Sequence, residues 1–303
     1  MQPTSLNSVV FNMSESALQE CNHIPNNRAA FAQQSDSGET RPWDFLVQTG
    51  PIITTAIHAG HTIRDELQPW LEISDMDRLR EEDPLTDYFL PVGDSLLRVN
   101  RSRFEVDLNR PRDKAISTNA EDLWGLHVWS PDLPQEQIEK SMQLHDQFYA
   151  MVRDHCDKMI ARYGHIMLLD IHSYNHRREG VEAPPALPDE NPDIDLGATT
   201  MNHEIYGELL ERFAKQLRRF PVCGKTPSVG VNIRWEDGGN FPEWLHNIYG
   251  DQACIITLEY KKSFMDEWTG EADILALQCL REGLSHAVNE ARIYFQQMAR
   301  SIA

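Results

Sequence analysis

No stretch of this sequence approaches the roughly 20 consecutive apolar residues needed to cross a bilayer. A positively charged start followed by an apolar segment, the mark of a secretory leader, is also missing. The expectation is a cytoplasmic protein with no membrane partner. Cysteine is scarce, with five residues in 303 (Cys21, Cys156, Cys223, Cys254 and Cys279), scattered and odd in number. That fits a reducing compartment better than a disulfide framework. CxxC and close Cys/His pairs with the spacing of a structural zinc site are absent. Positive charge is also short: 28 Lys and Arg stand against 47 Asp and Glu, a net charge of −19. Such a surface repels nucleic acid and anionic membranes. No internal repeat, P-loop or dinucleotide fingerprint is present, and Gly238-Gly239-Asn240-Phe241 is too short for a phosphate loop.

What is present is an ordinary globular mix, 41% hydrophobic and 25% charged. Residues 1–48 are polar and read as an N-terminal extension with one short helix near Ser14–Glu20. Residues 49–303 read as a single catalytic domain. Ile52 to Ile57 is a buried strand, Asp75 to Glu82 a short charged helix closed off before Pro84, and Leu96 to Leu108 a strand of alternating pattern. Pro134 opens an amphipathic helix that Gly164 ends, and Ile166–Ile171 is a strand covered on both faces. Residues 180–198, rich in proline and acid, read as a long loop. A helix from His203, strands at Ser228–Ile233 and Cys254–Leu258, a short helix near Trp244 and a last amphipathic helix from Ile274 complete the chain. The alternation predicts an α/β fold, a mixed and largely parallel sheet sandwiched by helices.

Three ionisable residues fall at predicted strand ends: His58, His172 and Glu259. In open α/β sheets functional groups collect beyond the C-terminal ends of strands. Imidazole is the commonest protein ligand for a metal, and catalytic zinc takes three protein ligands plus an open position. His61 stands one helical turn beyond His58, and Asp170 is placed by sequence to orient a ligand. A glutamate that closes an apolar strand is costly unless it has work or a partner, and Lys261 and Lys262 are the adjacent candidates. Five arginines crowd one segment of this acidic chain: Arg98, Arg101, Arg103, Arg110 and Arg112. They form either a site for a small anionic substrate or a solvated edge.

The stretch Ser102–Asp113 (SRFEVDLNRPRD), the upstream Pro84–Asp87 (PLTD) and His58-Ala59-Gly60 resemble the N-formylglutamate amidohydrolase family. The strings VDLNR at 106–110, IHSY at 171–174 and LEY at 258–260 are similar, in order, to those of zinc carboxypeptidases. The resemblance covers roughly residues 50 to 270. It implies a zinc-carboxypeptidase-like (phosphorylase/hydrolase-like) fold with zinc held by His58 and His172. Asp87 is the implied third ligand, with His61 in reserve or contacting substrate. It also implies Glu259 as general base, Arg103 as the group that polarises the scissile carbonyl, and Asn109 and Arg110 as a clamp on a substrate carboxylate. The expected reaction is zinc-dependent hydrolysis of the amide bond of an N-acyl amino acid. Two alternatives stand beside it: a metallocarboxypeptidase or amidase acting on peptides or cell-wall fragments, and a non-catalytic relative that binds small anions.

Overall fold

Every side chain of β2 (Ile52–Ala56) and β4 (Ile166–Tyr174) is buried, and β7 (Ala253–Lys261) is buried except at Glu259. Strands without a polar face must be covered on both sides, which puts them at the centre of a parallel sheet. The computed structural model, which describes residues 41–235 and 238–302, places them there. The remaining strands are β1 (Trp43–Val47), β3 (Ser95–Val99), β5 (Ile194–Gly197) and β6 (Val229–Val231). The sheet order is β1-β3-β2-β4-β7-β5-β6. β1 runs antiparallel to β3 and β5 antiparallel to β7, while the other pairs are parallel. The helix expected near Ser14–Glu20 lies outside the described residues.

The helices are α1 (Asp75–Glu81), α2 (Gln135–Tyr163), α3 (His203–Arg219), α4 (Asn240–Tyr249) and α5 (Ile274–Ile302). α2 starts behind Pro134 and stops at Gly164, whose φ of +78° suits glycine. Phe148, Val152 and Cys156 of α2 and Phe241 and Leu245 of α4 form one core with Ile53, Leu168 and Ile255. The alternate residues Ile52, Met167, Leu169 and Ile256 are just as buried. On their side Cys254 Sγ lies 3.5 Å from Met201 Sδ, α3 packs on α5 through Tyr206 against Phe295, and Phe220, just past the end of α3, stacks on His286. Burying one such aliphatic side chain is worth roughly 1.5–3 kcal/mol. A carboxylate on the same strand forfeits that gain, so Asp170, 0% exposed in β4, needs a partner.

Four expectations are corrected. Residues 43–47, assigned to the extension, form the edge strand β1; five residues behind a polar segment are too few to show their period. The strand expected over 96–108 ends at Val99. Beyond it the chain runs through turns in which Phe104, Val106 and Leu108 are buried together with the intervening Glu105 and Asp107, so that an alternation of polarity alone imitates strand period. The loop at 180–198 contains β5, hidden because Asp193 and Asp195 interrupt its apolar residues. β4 and β7 run on past the predicted ends, so His172 and Glu259 sit within them and face each other in register. No described helix is long and apolar enough to cross a membrane.

Candidate active site

Because β2, β4 and β7 are parallel neighbours, their C-terminal ends open side by side. His58 leaves β2 by a turn that packs close to the chain after β3: a β-carbon at Gly60 would stand 2.3 Å from the Asn100 carbonyl carbon. The same turn fixes a third group, since the Asp83 backbone N–H donates to the His58 carbonyl at 3.0 Å. Asp83 follows α1 and precedes Pro84, which restricts it to extended backbone.

His58, Asp83 and His172 thereby converge, each buried, with their possible ligand atoms within 4.8 Å of one another. Asp83 Oδ2 is 2.9 Å from His172 Nδ1 and 3.5 Å from His58 Nδ1. The far side of each ring is held by another carboxylate: His58 Nε2 lies 2.8 Å from Asp107 Oδ1, and His172 Nε2 lies 2.8 Å from Asp170 Oδ2. The Thr55 hydroxyl donates to the other oxygen of Asp170. Those outer carboxylates accept Nε2–H from each imidazole, which turns both Nδ1 lone pairs toward Asp83. Consistent with this, His58 Nδ1 is buried without a hydrogen-bond partner. Two lone pairs and a carboxylate facing one another are reconciled only by a cation. With protons as the only cations, burial would push the His172 pKa down, but Asp170 and Asp83 hold it well above its ordinary value. Burial would raise Asp83, yet hydrogen bonds and charge from His172 and His58 hold it well below the carboxylate range. A divalent metal with nitrogen and oxygen ligands fits this donor set.

Glu259 lines the same cleft, whose volume is about 450 Å³. Burial raises its pKa to about 7, against the opposing pull of His172. Neither adjacent lysine is its ion-pair partner. Lys261 reaches Asp193 at 3.0 Å, and Lys262 donates to the carbonyls of Arg80 and Glu82 and to Asn175 Oδ1. Lys262 so ties the end of β7 to the segment carrying Asp83, and burial pushes its pKa down to about 8.

Arg103 also lines the cleft, with Nη2 2.9 Å from Asp107 Oδ2 and its guanidinium over the Trp124 ring. Arg110 and Asn109 line it too, but the clamp expected of them is already engaged. The Asn109 amide donates to the Gly238 carbonyl at 3.2 Å and accepts from Phe241 N–H at 3.0 Å, capping the start of α4. Gly239, at φ +100°, passes so near that a β-carbon would meet Asn109 Nδ2 at 2.2 Å. Arg110 has Nε 3.2 Å from Asp107 and Nη2 2.6 Å from the Asp122 carbonyl.

The two residues expected as third ligand lie elsewhere. Asp87 pairs with Arg98 at 3.5 Å on a half-exposed turn, and His61 bonds Glu82 and Arg78. Arg98, Arg101 and Arg112 are also drawn away from the cleft, by Asp44, Glu105 and the pair Asp146 and Glu139 respectively. Sequence reasoning missed Asp83, although its sign was there: a carboxylate against the proline of the PLTD string. Trp124, Glu81 and Arg234, which also line the cleft, gave no sign in sequence.

The N-formylglutamate amidohydrolase family profile matches residues 50–264. The crystal structure of N-formylglutamate amidohydrolase from Ralstonia eutropha JMP134 is similar at 17% identity and TM-score 0.66, covering 84% of this chain and 98% of that one. A gene product of Agrobacterium tumefaciens is similar at 16% identity and TM-score 0.56, covering 83% and 96%. A metallo-carboxypeptidase from Burkholderia cenocepacia overlaps 84% of this chain and 61% of that one at 12% identity, but its TM-score of 0.37 is too low to argue from. At these identities the first two speak for the fold alone. No curated protein matches the sequence.

Proposed function

Since the chain belongs to the N-formylglutamate amidohydrolase family, we propose that it hydrolyses the amide bond of a small anionic N-acyl amino acid with the help of zinc. The observation that carries this reading is the meeting of two Nδ1 atoms and Asp83 in a cleft that also holds Glu259. His58, Asp83 and His172 would hold the metal. When bound, zinc supplies Lewis acidity, polarising an oxygen and making water a better nucleophile.

The remaining chemistry belongs to the chain. Glu259 takes a proton from the attacking water as its oxygen bonds to the acyl carbon. The same carboxyl passes that proton to the nitrogen as the carbon–nitrogen bond breaks, releasing a carboxylic acid and an amino acid. Arg103, fixed by Asp107 and Trp124, stabilises the charge that develops on the acyl oxygen. Asp107 and Asp170 keep the histidines oriented. The arginines of the cleft attract the anionic substrate.

Purified protein is expected to carry about one zinc per chain and to hydrolyse free-acid N-acyl amino acids in preference to forms amidated at the carboxylate. A metal-free preparation with full turnover, or equal use of acid and amide forms, would overturn this reading. Asp170→Asn is expected to weaken metal binding by roughly 10- to 100-fold, because the ring of His172 loses its orienting acceptor. Competition with a chelator measures this directly, and unchanged affinity would mean that Asp170 does not act through His172.

A further inference from the structure

Lys262, one residue past the end of β7, is 1% exposed, an unusual depth for a lysine. An ammonium buried so far is costly unless its N–H groups are bonded. Here all three are: Nζ donates to the Arg80 carbonyl at 2.6 Å, to the Glu82 carbonyl at 2.7 Å and to Asn175 Oδ1 at 2.9 Å. The side chain lines the cleft, yet an ammonium has three donors and none is left for a substrate. The acceptors are neutral oxygens, so no ion pair accounts for the burial either.

Two of those oxygens belong to the end of α1, where Arg80 stands in the last turn and Glu82 is the residue that caps it. The last carbonyls of a helix have no partner inside it and carry the negative end of its dipole. α1 has seven residues, too few to be stable alone, and no glycine follows to close it. The closing group comes instead from a lysine 180 residues further along the chain. The third oxygen belongs to Asn175, 2% exposed and one residue beyond β4, and the Lys262 backbone N–H donates to the Tyr174 carbonyl at 3.0 Å. One ammonium thus joins the exits of α1, β4 and β7.

These exits carry the site. His172 and Glu259 need no help to stay together, because the ladder between β4 and β7 already holds them in register. Asp83 has no such ladder and reaches the histidines from outside the sheet, at the end of a short helix. We propose that Lys262 is a positioning residue for the metal: by capping α1 from β7, it holds the Asp83 carboxylate between His58 and His172. This inference rests on the reading of those three residues as the metal site. It also predicts a sign opposite to that of simple electrostatics. A cation repels a nearby dication, so deleting the charge alone would tighten zinc binding, whereas loss of positioning weakens it.

The test uses Lys262→Met, which keeps the aliphatic stem and removes charge and donors together. Competition with a chelator is expected to show zinc held roughly 10-fold or more weakly than in the wild type, the usual worth of a group that orients a ligand. Lys262→Gln keeps amide donors without the charge and should lose less. It carries the test if thermal melting shows the methionine variant unfolded. A second readout needs neither metal nor turnover. Amide hydrogen exchange in the metal-free variant should quicken by roughly 10-fold across residues 80–87, while β4 and β7 keep their protection. Zinc binding that is unchanged or tighter, or exchange that does not change at residues 80–87, overturns the positioning role and leaves the metal site standing. If the wild type binds no zinc while exchange at residues 80–87 still depends on Lys262, the metal reading falls and the positioning of Asp83 stands.

Discussion

Asp83→Ala is expected to empty the site, with zinc content dropping from about one per chain to near zero and turnover falling by at least about 10³-fold. Two histidines alone rarely retain a catalytic metal. In Asp83→Ala the Nδ1 atoms of His58 and His172 would also lose the one anionic group between them. Asp87→Ala is the matched control. It removes a single contact at 3.5 Å to Arg98, which keeps Asp44 at 2.7 Å. Exposed pairs of that kind contribute about 1 kcal/mol or less, so zinc and activity should survive. Atomic emission on the two purified variants decides between the carboxylates, and zinc loss in Asp87→Ala with retention in Asp83→Ala would refute the assignment.

Glu259→Gln is expected to keep zinc and fold while turnover drops by roughly 10²- to 10⁴-fold. The substitution is nearly isosteric and leaves His58, Asp83 and His172 untouched, so metal content separates a lost base from a lost site. The pH profile carries a second sign. Burial raises the Glu259 pKa to about 7, and a base works only when deprotonated. Activity should therefore rise as pH rises through that pKa and be lost as pH falls below it. A bound cation favours the carboxylate, which puts the acid limb of kcat/KM at or below about pH 7. An identical acid limb in the residual activity of Glu259→Gln would assign the limb to another group.

The central strands were legible because their chemistry is extreme. Uninterrupted runs such as Ile166–Leu169 leave no choice but burial on both faces, and the ionisable residues that break them were visible for the same reason. His58, His172 and Glu259 all line one cleft in the fold. What was illegible depended on long-range pairing. Asp83 and Asp87 stand four residues apart in the chain, and it is long-range bonds, from Asp83 N–H to the His58 carbonyl and from Lys262 to the carbonyls of Arg80 and Glu82, that turn the first of them inward. The arginine cluster read as a single feature, yet local carboxylates disperse it: Asp44 and Asp146 draw Arg98 and Arg112 outward. Arg234 escaped notice because an isolated arginine in a loop has no pattern at all.

Asp107 presents one oxygen to His58 and the other to Arg103 and Arg110. An anion settling on those arginines draws their N–H groups away from the carboxylate. Its other oxygen then becomes the stronger acceptor for His58, and the opposite ring nitrogen the better donor of electrons. By the reciprocity of linked equilibria, whatever cation that nitrogen holds must strengthen the hold on the anion by the same factor. The two ends of the cleft are therefore a single thermodynamic unit, and a change to either arginine is also a change to the electron supply at His58.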